Sequence, residues 1–274
     1  MTESRLTNTL LTLLAYAVAI VMFFPILWMF LTAFKTEQTA FDIVPHFLFT
    51  PTLDSFKLAL AQGNGYWHYA FNSALSAVAS TLIGLALAVP AAYAMAFFPS
   101  KRTDFTLMWM VSTKFIPAVG VLIPVFMVYK SLGLLDNIWG LTMLFTAMNL
   151  PLIVWMVYSY FKDIPKDIIE AADIDGAGTL QTMVKVVLPL ALPGLASTGL
   201  LALILAWNES FWSLTMTDHK AATLAVFIAS FKSAEGLFWA KMSAASVLTV
   251  TPIIILGWFA QRQMVRGLTF GAVK

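Results

Sequence analysis

Cysteine is missing altogether from the 274 residues, so the chain has no disulfide, no thiolate nucleophile and no cysteine-held metal. Charge is scarce as well. Asp, Glu, Lys and Arg make up 11% of the chain, whereas a soluble globular domain carries about a quarter, and that deficit excludes an ordinary water-soluble fold. The net charge of +2 gives no reason to expect nucleic acid as a partner. Histidine occurs at His46, His68 and His219 alone, with no HExxH-like pairing, so no metal site is assigned. No phosphate loop of the form G-x-x-x-x-G-K-[ST] occurs, so any ATP energy has to arrive through another subunit. There is no low-complexity tract, no internal repeat and no soluble segment long enough to stand as a second domain.

What the chain has in abundance is apolar length. Sixty per cent of it is hydrophobic, and a helix needs about 20 apolar residues to cross the hydrocarbon core. Six spans result, over residues 10–34, 70–98, 107–129, 138–161, 190–214 and 242–260. The expected fold is all-α: one polytopic transmembrane domain over residues 1–274 with six transmembrane helices and a cytoplasmic helix. The first span is too long for a signal-peptide core and lacks a small-residue cleavage site, so it is expected to stay as an anchor. All four arginines, Arg5, Arg102, Arg262 and Arg266, with Lys101, Lys162, Lys166 and Lys185, fall in the two tails, the second loop and the fourth loop. By the positive-inside rule those segments, both termini included, face the cytoplasm. Residue Gly63, in the first loop, is then outside.

The fourth loop, residues 162–189, is a polar insert between apolar runs. Asp163 can cap a helix with Pro165 in its first turn, Asp167 and Glu170 lie near the positive end of its dipole, and Gly176 can take the left-handed conformation that stops it. Ile168, Ala171, Ala172 and Asp175 recur at helical spacing and can form a narrow face for a partner's groove. Thr179 can cap a second short helix carrying Leu180, Val184 and Val187. By amphipathicity alone an ordinary polar loop between two spans is the favoured explanation of this stretch.

Polar groups inside the spans are few. Lys114 lies about eight residues into the third span, roughly 12 Å deep in a core about 30 Å thick, where an ammonium needs a partner, water or a cavity. Asn149, beside a break at Pro151, is expected at similar depth, and the two can face one aqueous chamber. Asn208 and Glu209, bracketed by Trp207 and Trp212, supply amide, carboxylate and indole groups suited to a hydroxyl-rich ligand. Against this, Glu209 can instead pair with Lys114, and the tryptophans can sit among lipid headgroups. Pro90, Pro117 and Pro124 are expected to break or bend their helices.

The order Glu170-Ala171-Ala172, three residues, Gly176, nine residues, then Val186 and Leu188-Pro189 resembles the coupling loop of binding-protein-dependent ABC importer permeases, with Val186 in place of the usual Ile. Pro90-Ala-Ala-Tyr93-Ala, Ser131-Leu-Gly-Leu-Leu-Asp136 and Asn149-Leu-Pro151 are similar to carbohydrate permeases of the maltose-importer type. Ser112-Thr-Lys114, AWNESFWSL at residues 206–214, EGLFWAKMSAAS at residues 235–246 and the tail VRGLTFGAVK look like the mannitol/sorbitol polyol branch. Phe97-Phe98 stand where that family usually has Arg, with Lys101-Arg102 displaced downstream.

The resemblance implies a non-catalytic subunit of the bacterial inner membrane that forms half of a translocation pathway for a polyol or sugar. Its partners would be membrane lipid, a second homologous permease, a periplasmic substrate-binding protein and two nucleotide-binding ATPase subunits, which alone would hold ATP and Mg. Glu170, Ala171, Ala172, Asp173, Gly176, Leu188 and Pro189 would couple to the ATPase; Lys114, Asn149, Trp207, Asn208, Glu209 and Trp212 would line the pathway. An acidic or sulfonated sugar conjugate is the alternative cargo, because Lys114 suits an anion. An ion-coupled secondary transporter is a further alternative, disfavoured by the missing inverted repeat. A membrane enzyme is disfavoured because no nucleophile, base and orienting group converge.

Overall fold

A computed structural model describes residues 5–61, 65–233 and 236–269. The expectations placed on Gly63, Glu235 and the end of the FGAVK tail lie outside the described residues.

The long helices are α1 (Arg5–Ala33), α4 (Tyr66–Phe97), α7 (Ile138–Lys162), α10 (Leu188–Trp207) and α13 (Trp239–Thr269). Shorter helices fill the chain between them: α2 (Glu37–Phe41), α3 (Asp54–Ala61), α5 (Thr103–Ser112), α6 (Ala118–Ser131), α8 (Lys166–Ile174), α9 (Thr179–Thr182), α11 (Phe211–Met216) and α12 (Leu224–Ala229). A two-residue hairpin, β1 (Lys232–Ser233) against β2 (Gly236–Leu237), precedes α13. Among the described residues five helices are long and apolar enough to cross a membrane, and α5 with α6 forms a sixth candidate bent by 94°.

The bend falls at Pro117, inside the span expected over residues 107–129. Pro117 removes a backbone donor and pushes the residue before it out of the helical region, and Ile116 is accordingly extended at φ −71, ψ 121. A single 3-10 turn, Thr113–Phe115, lies between the two helices. Lys114 sits in that turn, on the N-terminal side of the break. The other prolines behave differently. Pro90 and Pro151 lie inside α4 and α7, which run through them without a break.

The described chain divides into two compact units, Met1–Trp67 with Phe227–Pro252, and His68–Val226 with Ile253–Lys274. In the first, Glu37 accepts hydrogen bonds from the backbone N–H groups of Ala240 and Lys241 at 3.1 and 3.3 Å, placing a carboxylate at the positive end of α13. Lys35 is 1% exposed, with its ammonium 3.9 Å from the Trp28 ring and 5.2 Å from Phe49. In the second unit, one core joins Ala92, Tyr93, Val157, Phe161, Ile169 and Val187, and another joins Ala77, Leu141, Phe145, Ala206 and Trp212.

Candidate functional site

The element α8 is held by its two ends and one face. Its stop is built as the sequence suggested: Gly176 takes φ +80, its N–H donates to Asp173 O, and the N–H of Ala177 donates to Ala172 O, both at 3.0 Å. This is the paired bonding of a left-handed glycine cap, which satisfies carbonyls the helix leaves open. The start differs from expectation. Asp163 closes α7, and Pro165 precedes α8 with no side-chain cap. Thr179 likewise opens α9 as its first residue, behind Gly178 and without a capping bond. Nor is there a separate second short helix: α9 continues through a π-helical turn, Met183–Val187, into α10, so that Leu188 and Pro189 lie in one 29-residue helix.

The faces of α8 also differ from the expected stripe. Ile169 and Ala172 are buried, with Ile169 in the core beside Tyr93 and Phe161. Tyr93 of the Pro90-Ala-Ala-Tyr93-Ala run meets the Phe161 ring edge-on at 6.5 Å. Ala172 thus turns inward, while Asp167, Glu170, Ala171, Asp173 and Ile174 face out. Ile174 is 87% exposed, and Leu180 is bare nearby. Ile174 lies one turn from Glu170 and Ala171 on the exposed side of α8, an apolar group that water does not reward.

The second feature is a cavity of about 170 Å³ at the α5–α6 break, lined by Thr113, Lys114, Ile116, Ala118, Val121, Ala147, Met148 and Trp212. The Lys114 ammonium donates to Met148 O at 2.9 Å. Trp212 is 2% exposed and its indole N–H, sealed from solvent, has no partner among the described residues. Glu209 accepts from the backbone N–H of Trp212 at 3.0 Å, so its carboxylate serves the start of α11, and among the described residues no Lys114–Glu209 contact counts as an ion pair. The hydroxyls of Ser112 and Thr113 donate to Trp109 O and Met110 O within α5.

Lys114 and Trp212 therefore share one wall, Glu209 stands beside Trp212 with its charge acting on Lys114, and the other expected pathway residues are elsewhere. Asn149 lies in a closed crevice between α7 and α10, beside Thr198 and Leu205. Asn208 ends α10 and donates to Ile204 O at 3.0 Å. Trp207 packs in the second core of this unit. Sequence reasoning missed the clasp made by Asp136, which accepts from four consecutive backbone N–H groups, Asp218 to Ala221. Its sequence signal was an Asp after Gly133-Leu134-Leu135, and in the structure Asp136 stands at φ +50.

Long apolar helices, one span broken beside a mainly apolar cavity that holds Lys114, and a short helix seated on the ends of its neighbours describe a multi-pass membrane protein. Residues 88–266 match the family described as binding-protein-dependent transport system inner membrane component. The chain belongs to that family, the non-catalytic permease subunits of ABC importers. It is 34% identical over 272 residues to a probable ABC transporter permease of Sinorhizobium fredii, covering 99% of this chain and 98% of that one. It is 34% identical to the trehalose/maltose transport system permease of Thermococcus litoralis, covering 100% and 99%. The sulfoquinovosyl glycerol transport system permease of Agrobacterium fabrum is 33% identical, with 92% and 88% covered. The crystal structure of a bacterial ABC transporter that imports the acidic polysaccharide alginate has the same fold, with a TM-score of 0.78 at 24% identity over 96% of this chain and 99% of that one.

Proposed function

We propose that this chain is one of two permease subunits of an importer for a polyol or sugar, that its N- and C-termini and α8 face the cytoplasm, and that α8 docks in an ATPase subunit. The observation that carries the coupling role is the double-sided construction of α8. Ile169 anchors it in the core of its own unit, while Glu170, Ala171 and Ile174 are presented outward. A helix held this way passes a push from a partner to α4, α7 and α10 instead of absorbing it in a loose loop. Glu170, Asp173 and the exposed apolar groups would meet the ATPase directly. Gly176, Leu188 and Pro189 would set the direction of the chain behind them.

Carbohydrate cargo is supported by the relatives' printed substrates, trehalose/maltose and sulfoquinovosyl glycerol. The mannitol/sorbitol-like runs, Ser112-Thr-Lys114 and residues 206–214 among them, support a polyol. A cargo with an acidic group is the second reading, favoured by Lys114 in the cavity wall. Glu170→Lys reverses the charge on the exposed face of α8 offered to the partner, and Gly176→Val opposes a backbone at φ +80. Both variants should reach the membrane with the companion permease yet lose ATPase association or substrate-stimulated ATP hydrolysis. Normal transport and stimulation in both would remove α8 as the coupling element.

A further inference from the structure

We infer that this subunit carries a second ligand site, a cavity at the outer ends of α1 and α13 that takes a neutral sugar in ring form. The class of ligand rests on the reading of the chain as a carbohydrate permease, and the outer placement on its proposed orientation.

The cavity lies wholly within the first compact unit, between α1, α2 with the loop after it, and the start of α13. Its volume is about 630 Å³, inside the range of about 300–1,000 Å³ of small-molecule sites, whereas the cavity beside Lys114, at about 170 Å³, falls below it. Two aromatic residues in the wall have faces to spare. Trp239, 42% exposed, and Phe41, 68% exposed, have no ring or cation partner among the described residues. Trp28, in the same wall, is already engaged by Phe24, Phe47 and the Lys35 ammonium.

Polar groups stand beside those faces. Along α13 the hydroxyls of Ser246, Thr249 and Thr251 donate one turn back, to Met242 O, Ala245 O and Val247 O. Ser243 departs from that pattern. It lines the cavity at 9% exposed, has no hydrogen-bond partner among the described residues, and is not one of the hydroxyls sealed from solvent, so it is open to whatever enters. Asp42, the one charged residue in the lining, pairs with His46 through Oδ2 at 3.1 Å and keeps Oδ1 for a donor.

A pyranose answers both kinds of group, because its C–H faces lie flat on aromatic rings and its hydroxyls donate and accept. An acyl chain fits the volume but leaves Ser243 unmet. An open-chain polyol meets Ser243 and Asp42 but has no flat face for Trp239. A charged ligand finds no excess of one sign, since Asp42 stands in the wall and the Lys35 ammonium lies 3.9 Å from the Trp28 ring centroid.

Trehalose and D-mannitol are suitable probes, both neutral and rich in hydroxyls, one with pyranose faces and one without. Equilibrium binding of each radiolabelled probe is measured on the complete permease–ATPase complex in nanodiscs, without the soluble binding protein, so that its selection does not intervene. Trehalose should bind at least about tenfold more tightly than mannitol. Trp239→Ala should weaken trehalose about tenfold, and Trp239→Phe, which keeps a ring face, should retain most of the affinity. Ser243→Ala should weaken it about three- to tenfold with the melting temperature unchanged. Trehalose binding indifferent to both Trp239→Ala and Ser243→Ala, no preference over mannitol, or no trehalose binding into the millimolar range would each overturn the site. So would a phospholipid that native mass spectrometry finds on the parent complex and not on Trp239→Ala, and that trehalose does not displace. A complex that imports a neutral carbohydrate normally while its trehalose binding ignores these substitutions refutes this inference and leaves the permease reading standing. Failure to associate with any ATPase refutes that reading instead.

Discussion

Asp136 concentrates more structure on one side chain than any residue of the proposed pathway. It stands at φ +50, donates its own N–H to Met216 O at 2.8 Å, and accepts from the N–H groups of Asp218, His219, Lys220 and Ala221 at 3.0–3.2 Å. Asn72 holds the same loop through Lys220 O and Ala222 O, at 3.0 and 2.9 Å. Burial by itself pushes the Asp136 carboxyl up, but the four N–H donors outweigh burial and leave it below its ordinary 3.8. A carboxylate depressed on folding contributes stability in full above the ordinary value and loses it as pH falls through the folded value. Asp136→Asn should therefore lower the melting temperature at neutral pH by about 2–4 °C per kcal/mol lost. The gap to the parent protein should narrow as pH drops below about 4. A gap of the same size at all pH values, measured by thermal unfolding in nanodiscs, would show that charge on Asp136 is not what holds the loop.

Helix α8 separates packing from docking within nine residues, because Ile169 and Ile174 lie on opposite faces. Ile169→Ala removes buried methyl groups from the core around Tyr93 and Phe161, and should cost about 2–4 kcal/mol of stability. Ile174→Ala touches little of its own chain and should leave the melting temperature unchanged while weakening ATPase association. Equal thermal effects from the two substitutions, read on the same purified complex, would contradict the assignment of faces. Much of this element was legible in sequence. Gly176 announced the stop because only glycine adopts φ +80 freely, and the long helices follow from apolar length. The caps were not legible, since Asp163 has to compete with a Pro165 that can end the preceding segment as readily as it begins the next. Nor was the division of the face, because 100° per residue puts Ala171 out and Ala172 in. The same rotation parts Met148, beside Lys114, from Asn149 in the α7–α10 crevice. Pro117 marked where the third span breaks; the 94° angle depends on packing that no local pattern encodes.

Across the whole molecule the apolar helices are covered unequally. None of the apolar window of α1 is buried by the chain itself, whereas half of that of α7 is. Lipid or a companion permease has to cover α1, because apolar surface of that extent is not stable in water. The proposed orientation then decides which partners can reach which surface: an ATPase can dock on α8 only if residue 178 lies on the ATP-containing side. Because the chain has no native cysteine, single substitutions report their surroundings without background. Gly178 is exposed between α8 and α9, and Leu48, in the loop after α2, is 94% exposed. In intact spheroplasts a membrane-impermeant maleimide should label Leu48→Cys directly and Gly178→Cys only after permeabilisation. Labelling in the reverse order would invert the topology drawn from the arginines, and it would place α8 where no cytoplasmic ATPase could bind it.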